Sequence, residues 1–297
     1  MSIEGGSVGR PESCRLCGTP ELSLRYADVV IADPHGSAGL RSIWECRRCH
    51  AYWSDLPSEV ASSRYYREKP KEHHAQLEAG TQRFRRVRTA LEAGLGREPR
   101  RLLDVGCAGG AHFDVYGEGV ERFGIEPAAS AAPMLAERGV TWLGKSVDDA
   151  PEAGFDAVTS LDVLEHVEWP RPFLDGLDRC LAPGGVIAIV TGDIDSFSAR
   201  WGRRRWLYYA LPEHCSFYSE RALRRYWVEE RGYEQLDKTW IANADVDPAY
   251  VRNFLGGIAR EAAMKALPAR RTREMERAGR GRFPFFCDNL LVTYRKP

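Results

Sequence analysis

The chain has 297 residues, enough for one large core or for a core plus a small module. Lys+Arg and Asp+Glu each number 42, so no global field draws the protein to nucleic acid or to an anionic membrane. No apolar run reaches the ~18 residues of a spanning helix, and Met1 to Arg10 lacks the apolar stretch of a secretory signal, so a cytoplasmic protein is expected.

Taken in chain order, the first feature is a pair of knuckles, Cys14-Arg15-Leu16-Cys17 and Cys46-Arg47-Arg48-Cys49. Each places two thiols on one tight turn, and two such turns complete a closed tetrahedral thiolate site of the kind zinc favours. A zinc-binding module over 1–55 is expected, with structural Zn2+ on Cys14, Cys17, Cys46 and Cys49. The alternatives are four reduced, unligated thiols, or His50 in place of Cys49. The 28 residues between the knuckles suit a small sheet, with strands at Leu22 to Tyr26 and Leu40 to Trp44.

Residues 56–99 read as a helical linker. Arg64-Tyr65-Tyr66 begins it, and Gln76 to Leu95 forms one helix with Leu77, Phe84, Val87 and Leu91 on one side. Arg83, Arg85, Arg86 and Arg88 are expected on its solvated face.

A domain over 100–297 follows. Leu102, Leu103 and Val105 form a short strand buried on both faces. It ends in a turn containing Gly106, Gly109 and Gly110, where the backbone can approach a ligand. Phe123-Gly124-Ile125-Glu126 is a second strand ending in an acid. Further strands are expected at Val140 to Leu143, Phe155 to Leu161 and Val186 to Val190, with helices at Ala128 to Arg138 and Pro170 to Leu181. This alternation specifies an α/β fold whose parallel sheet carries helices on both faces. A glycine turn after one strand and an acid after the next suit a nucleotide-type ligand. A loop insertion, 193–216, is followed by a helix capped by Ser219, a strand over Tyr233 to Ile241, a helical insertion, 245–283, and a last strand at Asn289 to Tyr294.

Five segments carry a resemblance: Leu103-Asp104-Val105-Gly106-Cys107-Ala108-Gly109-Gly110, Gly124-Ile125-Glu126, Phe155-Asp156-Ala157-Val158, Leu164-Glu165-His166-Val167 and Leu181-Ala182-Pro183-Gly184-Gly185. In order and spacing the chain resembles class I S-adenosylmethionine-dependent methyltransferases. The resemblance implies a Rossmann-like, seven-stranded, mostly parallel sheet with an antiparallel last strand, and S-adenosylmethionine as cofactor. It implies that Asp104 and the backbone of Gly106, Cys107, Ala108 and Gly110 face the methionine part, and that Glu126 holds the ribose diol. Ser146, Val147 and Asp148 would lie by the adenine, and Leu161 and Asp162 near the sulfonium. Ala108 stands where the family usually has glycine, so a slightly shifted turn is expected. The Gly-x-x-Gly-Gly pattern disfavours NAD.

Methyl transfer requires alignment of a nucleophile and removal of its proton. His166 and His214 follow strands at the sheet's carboxyl edge and titrate near neutrality. Each has a structural alternative, as a loop brace or a backbone-bonded loop histidine. The pair Glu213-His214 further resembles sugar C-methyltransferases that carry an N-terminal four-cysteine zinc module. That resemblance implies His214 as base, with Glu213, His166 and Tyr65 or Tyr66 assisting, and a sugar nucleotide, glycan or natural-product intermediate as acceptor. The arginines and aromatics of Arg200 to Tyr209 would suit a phosphorylated or sugar-linked small molecule, would equally suit RNA, or would form a lid packed on the core. An RNA methyltransferase and a non-catalytic cofactor-binding module are the alternative functions. Oligomeric state is not indicated.

Overall fold

The computed structural model describes residues 10–31, 39–55, 81–242, 248–277 and 287–297. Tyr65 and Tyr66 lie outside them.

Seven strands form the main sheet: β4 (Arg101–Val105), β5 (Glu121–Ile125), β6 (Val140–Gly144), β7 (Phe155–Leu161), β8 (Leu181–Gly192), β10 (Glu234–Ile241) and β11 (Asn289–Arg295). Their order is β10-β11-β8-β7-β4-β5-β6. β4 pairs in parallel with both β5 and β7, whereas β11 runs antiparallel to β8 and to β10. The strand order therefore reverses beside β4, and the crevice beyond Val105, Ile125 and Leu161 is where such a sheet binds ligands.

Both faces of the sheet are buried, and successive residues supply opposite sides. Leu103, Val105, Val158, Ile187 and Ile189 pack with Leu174 and Leu177 of α3 (Pro170–Cys180). Leu102, Ala157, Val186, Ala188 and Val190 pack with Val87 and Leu91 of α1 (Thr81–Leu95) and Leu135 of α2 (Ala132–Glu137). This two-residue alternation is why the strands read as continuous apolar runs.

The N-terminal strands β1 (Leu22–Val30), β2 (Leu40–Cys46) and β3 (Tyr52–Ser54) form a second, antiparallel sheet. Its fourth strand, β9 (Ser216–Phe217), comes from the far end of the chain, through Tyr52↔Phe217 and Trp53↔Ser216. The 193–216 segment contains α4 (Phe197–Gly202) and α5 (Leu207–Ala210). Its Trp206, Tyr208 and Tyr209 share an apolar cluster with Val29, Ile43 and Tyr52 of the N-terminal sheet. These three rings are packing groups, at most 3% exposed, and not open stacking faces for a ligand.

Ser219 caps α6 (Glu220–Arg224) by accepting from Ala222 N. The helical insertion contains α7 (Pro248–Lys265) and α8 (Ala269–Arg277). Arg205 Nε donates to buried Glu261 of α7 at 2.9 Å, which ties the two insertions together. Among the described residues no helix is long and apolar enough to cross a membrane.

Candidate active site and thiolate cluster

The glycine turn follows β4. Gly106 has φ +81°, and a Cβ there would stand 2.3 Å from Val163 Cγ2, so only glycine lets the two segments pass. Ala108 is also left-handed, with φ +48°, and retains the turn that glycine would make there at a cost of about 1–2 kcal/mol. Its N–H donates to Glu126 Oε2 at 3.0 Å, and Ala128 N–H donates to Oε1 at 2.9 Å. Glu126 thus braces the turn and its own strand end together. Asp104 is buried, accepts from Thr159 Oγ1 at 2.7 Å, and faces His112 Nδ1 at 3.5 Å.

Two recesses flank the Gly106–Val163 contact. One, of about 620 Å³, is lined by Val105, Ser146, Val147, His166 and Phe173. Ser146 is fixed there by a capping box in which its side chain accepts from Asp148 N and Asp149 accepts from Ser146 N. The other, of about 50 Å³, is lined by Arg83, Asp104, Cys107, Ala108, Leu161 and Asp162. The structure therefore brings Asp104, Gly106, Cys107, Ala108, Leu161 and Asp162 to one side and Ser146 and Val147 to the other. Gly110, with φ +83°, closes the turn against Leu135. A glycine cradle, carboxylates at two strand ends and a divided crevice fit an adenosyl cofactor with an amino-acid tail.

Arg83 departs from the sequence expectation. It is 6% exposed and pairs with Asp162 at 2.5 Å, while Arg85 and Arg86 are exposed. The reason is geometric: α1 crosses the crevice, so the face bearing Arg83 and Phe84 looks onto the ligand recess. Asn289 Nδ2 donates to the other oxygen of Asp162 at 2.8 Å.

The two candidate histidines stand at the turn after β7 and in the loop that packs on it. His166 Nδ1 lies 3.1 Å from the Glu213 carbonyl, and His214 Nδ1 lies 3.1 Å from the Tyr208 carbonyl. A carbonyl only accepts, so each ring carries a proton on Nδ1, and in His214, which burial keeps neutral, Nε2 keeps its lone pair. The rings meet edge to face, with centroids 4.9 Å apart. Burial, then the neighbouring His166 and Arg41, hold the His214 pKa well below its ordinary value. Glu213 touches His166 through its backbone carbonyl.

In the sequence Glu165 stands out only as part of Leu164-Glu165-His166-Val167. It is 1% exposed, accepts from Thr191 Oγ1 at 2.8 Å and accepts from Tyr208 Oη. Burial, then Asp162, push its pKa up to about 7. Glu165, His166 and His214 each bring a polar atom within 4.8 Å of the other two. Nothing in the local sequence of Arg41 links it to residues so distant in the chain, and Tyr208 stands out only as one aromatic of the Arg200 to Tyr209 stretch.

At the opposite end of the N-terminal sheet the four thiols converge within 4.8 Å of one another. Cys14 Sγ lies 3.5 Å from Cys49 Sγ, and Cys17 Sγ lies 3.6 Å from Cys46 Sγ. Sulfurs bound at ~2.3 Å on a tetrahedral ion stand ~3.8 Å apart, so the donor set fits such an ion. The two knuckles are built alike. Cys17 N–H and Cys49 N–H each point to the preceding knuckle sulfur at 3.4 Å, and the residues that follow, Gly18 and His50, are both left-handed. His50 turns to Glu45, away from the sulfurs.

The reversed parallel sheet, its glycine turn and the acid after β5 define a class I methyltransferase fold. The chain belongs to the methyltransferase-domain family, whose profile matches residues 74–238, and is an S-adenosylmethionine-dependent methyltransferase. It is 28% identical over 174 residues to a ubiquinone biosynthesis O-methyltransferase of Bradyrhizobium sp. (strain ORS 278), covering 51% of this chain and 69% of that protein. It is 29% identical over 163 residues to a tRNA U34 carboxymethyltransferase of Azotobacter vinelandii (strain DJ / ATCC BAA-1303), covering 50% of each. Among solved structures, a SAM-dependent methyltransferase from Archaeoglobus fulgidus aligns with TM-score 0.49 and 16% identity, over 78% of this chain and 97% of that one.

Proposed function

We propose that the enzyme methylates a small-molecule acceptor, a sugar nucleotide, glycan or related natural-product intermediate, with His214 as the base. The observation that carries this reading is the His214 imidazole, whose Nδ1 is tied to the Tyr208 carbonyl and which burial holds neutral, so that Nε2 is its basic atom. In this reading Glu126 accepts from the ribose hydroxyls, Ser146 and Val147 flank the adenine, and Asp104, Gly106, Cys107, Ala108 and Gly110 surround the methionine part. Leu161 and Asp162 border the sulfonium. The bound cofactor supplies an activated methyl group. The chain aligns the acceptor beside His166, takes its proton onto His214 Nε2 as the new bond forms, and leaves the thioether product behind. Tyr66 is retained as a candidate assistant of that base, and Glu213 as its neighbour. The module over 1–55 carries a structural zinc on Cys14, Cys17, Cys46 and Cys49.

The likeness of Glu213-His214 to sugar C-methyltransferases supports the acceptor class, and the O-methyltransferase relative supports small-molecule chemistry. The test is His214→Gln assayed against a panel of sugar nucleotides and phenolic acceptors. Turnover should fall at least a hundredfold while S-adenosylhomocysteine still binds; full turnover would remove His214 as base. The tRNA-modifying relative favours a second reading, with RNA as acceptor. RNA binding that weakens steeply between two salt concentrations would support it.

A further inference from the structure

The base reading leaves one fully buried cation without a role. Arg41 is the second residue of β2, is 2% exposed, and points into the 208–214 segment. Its Nη1 donates to the His214 carbonyl at 2.6 Å, and its Nη2 donates to the carbonyls of Leu211, at 2.7 Å, and Tyr209. The guanidinium also lies over the Phe217 ring, 5.6 Å from its centroid. A buried arginine whose two terminal nitrogens donate to three carbonyls of one short segment fixes that backbone more rigidly than a single hydrogen bond can.

We propose that Arg41 is the positioning residue for His214, so that the N-terminal module is a working part of the acceptor site. The proposal builds on His214 as the base. The module reaches the site by a second route as well. Ser54 N–H, at the end of β3, donates to the Cys215 carbonyl at 2.9 Å, and Cys215 N–H donates to the Glu165 carbonyl at 2.9 Å. Ser216 Oγ donates to the Leu164 carbonyl at 3.0 Å. The turn bearing Glu165 and His166 and the loop bearing His214 therefore hang from the same sheet, and β2 of that sheet ends at Cys46.

Position and charge act together. The groups facing His214 are His166, Tyr208, Glu165, Arg41 and the ring of Phe217, with Glu213 adjacent in the chain. His166 and Arg41 disfavour protonation of the imidazole, as its burial does. Removing the Arg41 charge removes one of these causes, so the His214 titration moves to higher pH. Arg41→Lys keeps the charge and loses the fork; Arg41→Met loses both.

The experiment follows His214 by NMR on histidine-labelled full-length protein. His214→Gln assigns the signal, and calorimetry with S-adenosylhomocysteine checks the cofactor half. Arg41→Met should move the His214 titration to higher pH. Arg41→Lys should leave it in place but split or broaden the signal as the loop loses its anchor. Cofactor-product affinity should hold within about twofold in both, because the contacts are separate. A wild-type-like His214 signal in both variants would overturn the proposal. So would loss of S-adenosylhomocysteine binding together with loss of the folded-state spectrum in both, which would make Arg41 a general fold element. If the NMR result is as expected but His214→Gln keeps full turnover, the base reading fails and the positioning stands.

Discussion

Glu165 and Tyr208 are joined by a buried hydrogen bond, the phenol donating to the carboxylate, across 43 positions of sequence. The same phenol oxygen accepts Gly192 N–H at 2.8 Å, and a Cβ on Gly192 would stand 2.3 Å from the ring. The carboxyl end of β8, the turn after β7 and the 193–216 insertion are thereby locked at one point.

That lock has a pH signature. The folded-state pKa of Glu165 is raised from 4.5 to about 7, first by burial. A raised carboxyl means that the folded protein holds the proton more tightly than the unfolded chain, so this group's contribution favours the fold on the acid side and is lost as pH rises from about 4.5 through about 7. Glu165→Gln keeps an acceptor for Tyr208 and a donor toward Thr191 without the charge. Its melting temperature should match wild type near the acid end and exceed it above pH 7. Parallel melting curves at both pH values would show that the carboxyl is not held this way.

Gly106→Ala should disable the cofactor crevice. The new methyl would stand 2.3 Å from Val163, at a φ that side chains rarely adopt. A loss of about 1–3 kcal/mol of stability is expected, with at least tenfold weaker binding of S-adenosylhomocysteine by calorimetry. Unchanged affinity would mean that the ligand does not lie against this turn.

The thiolate cluster makes a compositional prediction. Protein purified without chelator should carry about one equivalent of zinc by elemental analysis; less than half an equivalent would refute the structural-zinc reading. Cys46→Ser should lose the metal and lower the melting temperature of the whole protein, because Cys46, Cys49 and Trp53 share one cluster with Val105, Val158 and Ile189 of the main sheet. A separate low-temperature transition, with the main one unmoved, would show the module to be energetically independent.

Much of this architecture is legible in the sequence. The double-buried strands announce themselves as apolar runs, and Phe155–Leu161 is observed with the ends its pattern implies. The knuckles and the glycine turn are local motifs, so spacing alone reveals them. What stays hidden is contact between distant segments. Nothing around Ser216 or Phe217 says that they pair with Trp53 and Tyr52, since two residues carry no periodicity. Arg41 sits in an alternating strand like any edge arginine, and its burial depends on a loop some 170 positions away. The arginines of α1 illustrate the limit best: four look alike in sequence, and only the path of the helix over the crevice selects Arg83.

Arg83 is accordingly the residue whose loss should be felt most on the cofactor side. Its guanidinium forms an ion pair with Asp162, which has a left-handed backbone, φ +54°, and which Asn289 holds from the other side. The arginine therefore holds Asp162 in place and, with Arg138, sets positive charge in a recess that Asp104 and Asp162 also line. Arg83→Met removes the charge and frees one carboxylate oxygen. Because Asp162 is about one-third exposed, solvent recovers part of that loss, and a stability cost of about 1–2 kcal/mol is expected. Binding should suffer more. S-adenosylhomocysteine affinity should fall at least tenfold in Arg83→Met and recover in part in Arg83→Lys, whereas exposed Arg86→Met should change neither. Equal affinities in the three variants would return Arg83 to a purely structural place.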